Sequence, residues 1–223
     1  VKGSMDSQLL CRAIRYAIER KQIEIRLSEI ANELRARNAQ MDTELAKARE
    51  MQLALMPRRY PDFPASAPRG GTAIAFCHHY RPCLELGGDF FDIFPVSETS
   101  VAVLICDVMG HGVQPALVTA VIRGLVEELG AQAHNPGLLL TSLNADLTRL
   151  LRQPDQLIFV SSACVTVDVK TGGMFWATAG HPAPAVVRAC GGPIERLGQP
   201  PGTHAPAMGI DESSTYETYE GLL

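Results

Sequence analysis

Three short segments carry residue types at spacings that suit phosphate or metal chemistry. Gly87-Gly88-Asp89-Phe90-Phe91-Asp92 places two carboxylates three residues apart behind a glycine pair, and glycine lets backbone come close to a ligand. Asp107-Val108-Met109-Gly110-His111-Gly112 follows the apolar run Val101 to Cys106, so an aspartate sits where a strand runs into a turn. A buried strand that delivers a carboxylate to a loop is how sites for Mg²⁺ or Mn²⁺ are built, because these ions take rigidly held oxygen ligands. Either segment alone reads equally well as a turn or a helix cap. The third segment, Ala179-Gly180-His181-Pro182, closes the run that holds the only tryptophan, Trp176; by itself it reads as a turn whose histidine bonds to backbone. His78 and His79 stand side by side on a β-like run, where successive side chains face opposite sides. They are expected to be structural and not to share a site.

These segments need elements to position them. From Ser7 to Met56 there is neither proline nor glycine and helix formers dominate, which predicts one long helix or two joined ones. A heptad seam through Leu27, Leu34, Met41, Ala48 and Leu55 is apolar, whereas the companion row Ile30, Arg37, Glu44 and Met51 is broken by charge. That pattern suits a weak coiled coil or paired-helix linker, or a helix packed on its own domain. Four prolines between Pro57 and Pro68, with Gly70 and Gly71, mark a boundary. Beyond it, strands are expected at Thr72–Tyr80, Phe90–Pro95, Val101–Cys106, Leu157–Val169, Met174–Thr178 and Ala185–Ala189. Helices are expected at Val113–Leu129 and Pro136–Leu151, and a hairpin at Thr171-Gly172-Gly173. Strands, then two helices, then strands describe an α+β fold with antiparallel sheet.

Composition narrows the function classes. The chain has 223 residues and a net charge of -4, but residues 1–59 hold twelve Lys/Arg against eight Asp/Glu, while residues 60–223 hold eight against sixteen. With Lys170 as its single lysine, the acidic part is a poor binder of nucleic-acid phosphates; its carboxylates suit divalent cations better. No apolar run approaches the ~20 residues of a membrane span, and no signal core follows a basic start. Six cysteines (Cys11, Cys77, Cys83, Cys106, Cys164, Cys190) without a CxxC pair fit reduced, buried thiols and a cytoplasmic location.

Taken together and in order, the segments resemble the SpoIIE-like branch of the PPM-type (protein phosphatase 2C) metal-dependent serine/threonine phosphatases. The resemblance runs from about Ala46 to the end. It covers Ala48-Arg49-Glu50-Met51-Gln52 to Met56-Pro57, Tyr80-Arg81-Pro82 to Asp92, Asp107 to Gly112, Phe159-Val160-Ser161, and Ala179 to Pro182. Thr178 stands where that pattern usually has asparagine. The resemblance implies two antiparallel sheets sandwiched between helices. It also implies two Mg²⁺ or Mn²⁺ ions that activate water for in-line attack on phosphoserine or phosphothreonine, without a covalent enzyme intermediate. Asp107 would be the bridging carboxylate, Val108 would offer its backbone carbonyl, and Asp89 would be a direct or water-mediated metal ligand. Asp92 is a weaker, structural candidate; Gly110 and Gly112 would shape the turn, and His181 would stand behind the ligands. The family's further metal aspartates have no match before Leu223, which implies that residues 1–223 alone are inactive.

The first residues carry a second resemblance. Val1-Lys2-Gly3 and the stretch Leu9 to Arg20 look like the last strand end and helix of a response-regulator receiver; the alternative is a plain amphipathic helix. The resulting division is residues 1–20 receiver-like, 21–56 helical linker, 57–71 boundary and 72–223 phosphatase domain. It implies an output domain acting on a phosphorylated protein, with an anti-sigma-factor antagonist as the first candidate, and a homodimer through the linker. Gly87-Gly88-Asp89-Phe90-Phe91 also resembles the Gly-Gly-Asp-Glu-Phe motif of diguanylate cyclases, although Phe90 occupies the place of a needed carboxylate. A catalytically degenerate adaptor that binds a partner is the other alternative.

Overall fold

With no proline or glycine to interrupt it, Ser7–Leu55 forms one helix of 49 residues, α1, in the computed structural model. The structure describes residues 7–64, 66–68, 71–82, 85–152, 157–189, 191–198 and 205–223. The segment Val1-Lys2-Gly3, Cys83 and Cys190 therefore lie outside the described residues. The chain divides between Lys47 and Ala48 into two units. In the first, α1 is exposed along most of its length, including Leu27, Leu34 and Met41. Its surface pairs Arg20–Glu24 and Glu33–Arg37 lie at helical spacing and add a few tenths of a kcal/mol each.

The second unit is built on an antiparallel sheet. Five strands, β1 (Asp89–Pro95), β2 (Ser100–Val108), β3 (Val160–Asp168), β4 (Gly173–Ala179) and β7 (Tyr219–Leu222), lie in the order β1-β2-β3-β4-β7. Helices α2 (Val113–Leu129) and α3 (Pro136–Leu151) follow β2. Alternation along the strands decides the core. Leu104, Cys106 and Val108 of β2, with Val160, Cys164 and Ala177, are buried against Val118, Ile122, Leu139, Leu143 and Leu147 of the helices. On the other face, Met174 and Trp176 pack with Leu197 beneath the short pair β5 (Ala185–Val186) and β6 (Glu195–Arg196). Among the described residues this pair is what the second sheet amounts to. No helix of the described residues is long and apolar enough to cross a membrane.

The mixed helix and antiparallel-sheet architecture and the long leading helix agree with the sequence, and the Thr171–Gly173 hairpin joins β3 to β4. Asp168 fastens it, accepting from the Lys170 and Thr171 amides and from the Thr99 and Ser100 hydroxyls. Three expectations are corrected. Thr72–Tyr80 is not a strand: alternate residues are indeed half-buried, but the segment has no ladder partner among the described residues. Thr72 instead ties it locally to Phe63 and Ile74. Ala185–Ala189 shrinks to the two residues of β5. Of the four described cysteines, Cys106 and Cys164 are buried, with burial pushing each thiol up to about 12. Cys11 and Cys77 are exposed.

Candidate functional site

A strand has a period of two, so the carboxylates of Gly87-Gly88-Asp89-Phe90-Phe91-Asp92 point to opposite faces of β1. Asp92 turns toward the helices, where it is 5% exposed. Its Oδ2 lies 3.2 Å from Arg123 Nη1 of α2, and its Oδ1 accepts from the Ile93 amide at 2.9 Å. Burial raises its pKa, against the pull of Arg123. Asp92 is thus a core ion pair, the structural role expected of it.

Asp89 faces the other way and meets a partner across the ladder. The β1–β2 register pairs Asp89 with Asp107, and the β2–β3 register pairs Asp107 with Ser161. Residues opposite one another in antiparallel strands share a face, so three of the segments converge in one row. The fourth joins through His181, whose Nδ1 lies 2.9 Å from Ser161 Oγ. Asp89, Asp107, Ser161 and His181 come from four segments up to 92 residues apart, and the sheet register assembles them.

The proximity shapes the electrostatics of the row. The Asp89 carboxyl is held above its ordinary pKa by burial and by the neighbouring Asp107 charge, with His181 pulling the other way. The His181 imidazole is pushed below its ordinary value by burial, against both aspartates, which keeps the ring neutral near pH 7. Among the described residues neither carboxylate has a Lys or Arg within ion-pair distance, and no three His, Cys, Asp or Glu side chains are grouped to hold an ion.

The backbone around the pair is close-set. The Val108 amide donates to Gly88 O at 3.1 Å, and the Val108 carbonyl sits so near Gly88 that a Cβ there would lie 2.4 Å from its oxygen. Gly110 and Gly112, at φ 94° and 92°, make the turn from β2 into α2 in a region other residues seldom adopt. Asp89, Asp107 and the Val108 carbonyl supply oxygen atoms, the donor type that a hard divalent cation takes.

Beside Asp89 a cleft of about 450 Å³ is lined by His78, His79, Tyr80, Arg81, Phe91 and Ile105. His78 bonds the Tyr60 hydroxyl and packs on Phe91 with ring centroids 4.6 Å apart. Both histidines therefore border one cleft, contrary to the expectation from strand alternation, because their segment is irregular. Sequence reasoning gave no role to Gln52, although it lies in the first block of the resemblance, and missed the partnership of Ser161 with His181. The parity of Asp107 and Ser161 on their strands was the available signal for the second, but it needed the register.

The family model for stage II sporulation protein E (SpoIIE) matches residues 97–223. The phosphoserine phosphatase RsbP of Bacillus subtilis (strain 168) is 25% identical over 135 residues, 60% of this chain and 33% of that protein. Among solved structures, the SiaA-PP2C domain of Pseudomonas aeruginosa aligns with a TM-score of 0.62 at 20% identity, covering 83% of this chain and 68% of that one. The RsbU and RsbW domains of Rv1364c from Mycobacterium tuberculosis align with a TM-score of 0.50 at 23% identity, covering 61% and 36%. The chain spans about a third of RsbP's length, and the structural likenesses establish the PP2C fold. With the family model matching more than half of its residues, the chain belongs to the SpoIIE family.

Proposed function

We propose that this chain is part of a Mg²⁺- or Mn²⁺-dependent protein serine/threonine phosphatase, the cytoplasmic output domain of a response regulator. Its substrate would be a phosphorylated signalling protein such as an anti-sigma-factor antagonist. The observation that carries the reading is the cross-strand pair Asp89–Asp107, with the Val108 carbonyl at the same corner. Membership of the SpoIIE family and similarity to RsbP support it, and leave the cyclase alternative without support. Asp107, Asp89 and the Val108 carbonyl would hold the cations, two in the complete domain. When bound, such ions supply Lewis acidity that activates water and offsets charge on the phosphoryl oxygens. The chain's own residues set the frame. Gly88 keeps side chains out of the corner, and Ser161 fixes the His181 ring through Nδ1. Burial holds that ring neutral, so it does not compete as a cation for the two carboxylates.

The receiver-like reading of residues 1–20, which rests on the resemblance alone, belongs to the same proposal, as does a homodimer through the helix, supported by the exposed Leu27, Leu34 and Met41. The test is Asp107→Asn in the complete protein. Mn²⁺-dependent release of phosphate from a phosphoserine protein should disappear while the circular dichroism spectrum stays unchanged. Turnover near wild type would refute the assignment.

A further inference from the structure

Gln52 is the one buried residue of α1 among the described residues, 6% exposed on the helix's last turn. A buried primary amide must find partners for both its ends, and this one finds them at the candidate site. Its Nε2 donates to Gly87 O at 2.7 Å and lies 3.3 Å from Thr119 Oγ1 of α2, while its Oε1 accepts from the Gly87 amide at 3.4 Å. Gln52 thus engages both backbone groups of Gly87, as a neighbouring strand would. Gly87 is followed by Gly88, whose carbonyl accepts from Val108 and whose missing side chain admits the Val108 carbonyl. Asp89 comes next. One side chain therefore pins the start of β1 at the point where β1 is fastened to the end of β2. Arg49, one turn earlier, pairs with Glu85 at 3.2 Å, but this contact is exposed and contributes little.

We propose that Gln52 is a positioning residue for the Asp89–Asp107 pair: its amide holds the Gly87–Gly88 corner and so sets how the two carboxylates face each other. The inference rests on the reading of that pair as the metal site. Nothing in the packing requires an amide at this position. Pocket-forming neighbours Leu86, Leu55 and Ala116 are apolar, so a side chain that only filled space would be served by methionine or leucine.

The test uses the 223-residue chain and Gln52→Met, which keeps length and helix propensity but removes the amide. The first readout is hydrogen exchange at the Val108 amide, which is not bonded to Gln52 itself. It should quicken about tenfold, the size expected for losing a buried bond, while Leu104 in mid-β2 keeps its protection. The second readout, taken on the complete protein, is Mn²⁺ affinity, followed by the free-ion electron paramagnetic resonance signal; the affinity should weaken about tenfold. Leu197→Ala, a change in the separate Met174–Trp176 cluster on the other face of the sheet, should lower the melting temperature without either effect. If Gln52→Met does not fold, Thr119→Val removes one partner of the same amide and should give the same changes at smaller size, about threefold. Unchanged Val108 exchange overturns the proposal, and so does faster exchange with Mn²⁺ uptake equal to wild type. If wild type and Asp107→Asn take up Mn²⁺ alike, the metal-site reading fails, and faster Val108 exchange still upholds the clamp.

Discussion

Gly88→Ala tests the geometry of the site with one methyl group. The added Cβ would lie 2.4 Å from Val108 O, 3.2 Å from the Val108 carbonyl carbon and 3.2 Å from Pro115 Cβ. A contact to carbon below 3.0 Å is not tolerated, so β1 and β2 must part by roughly 0.6 Å where Asp89 faces Asp107. The obstacle is backbone, which cannot rotate away. Overpacking of this kind costs about 1–3 kcal/mol, a drop of several degrees in melting temperature for a unit of this size. Catalysis is more sensitive than stability, since a misplacement near 1 Å can cost about a hundredfold. In the complete protein, Mn²⁺-dependent dephosphorylation should therefore fall about a hundredfold with the fold retained. Gly87→Ala supplies the contrast: its Cβ would meet Tyr80 Oη at 3.1 Å and Pro82 Cβ at 3.3 Å. The Tyr80 hydroxyl is the end of a mobile side chain and the Pro82 contact needs a shift of only a few tenths of an ångström, so the loss should be tenfold or less. Equal activity in Gly88→Ala and wild type would refute the close approach of Val108 to this corner.

Three other outcomes are expected. Asp107→Asn, measured without divalent cations, should raise the melting temperature by two to four degrees, because it relieves about 1 kcal/mol of like-charge opposition across the strands; a lower melting temperature would contradict the pairing. Asp168 has its pKa lowered by hydrogen bonds, the Thr171 amide first, so its stabilisation is full above the unfolded carboxylate value near 4 and fades as pH falls below it. Asp168→Ala should destabilise by about 1 kcal/mol at pH 7, and the gap to wild type in urea unfolding should narrow below pH 4. Leu34→Asp places a charge on the exposed apolar seam of α1 and should lower dimer content in sedimentation; an unchanged dimer would move the contact elsewhere.

Much of the scaffold was legible because its signals are local. The proline-free run of α1, the period of α2 and α3 and the apolar alternation of β2 and β3 each report their own element. Thr72–Tyr80 shows the limit: its alternation is real, but a strand also needs a partner, and partnership is not written in one segment. Family resemblance singled out segments that the sheet register brings together, but not the contacts around them. Asp89 and Asp107 were singled out, whereas Gln52 was hidden inside a helix whose other residues are exposed or half-buried. A glutamine on such a helix reads as a surface residue. Its bonds to Gly87 span 35 residues and follow no periodicity.

The same distinction explains which carboxylates matter. In sequence, Asp89 and Asp92 are the obvious pair, three residues apart; on a strand that spacing separates them, one into the core and one onto the open face. The cross-strand pair is made by register, between residues 18 apart. Around it, other acidic groups have partners: Asp92 an ion pair with Arg123, Asp168 five donors, Glu212 Arg149, Asp211 Ser213. Asp89 and Asp107 instead confront each other without a Lys or Arg partner among the described residues, and the Asp89 carboxyl is held above its ordinary pKa. A fold that neutralises its structural carboxylates and leaves two opposed at one corner departs from local consistency where a bound cation would repay it. The glycine that admits Val108 and the amide that holds Gly87 are spent on keeping that unfavourable arrangement in place.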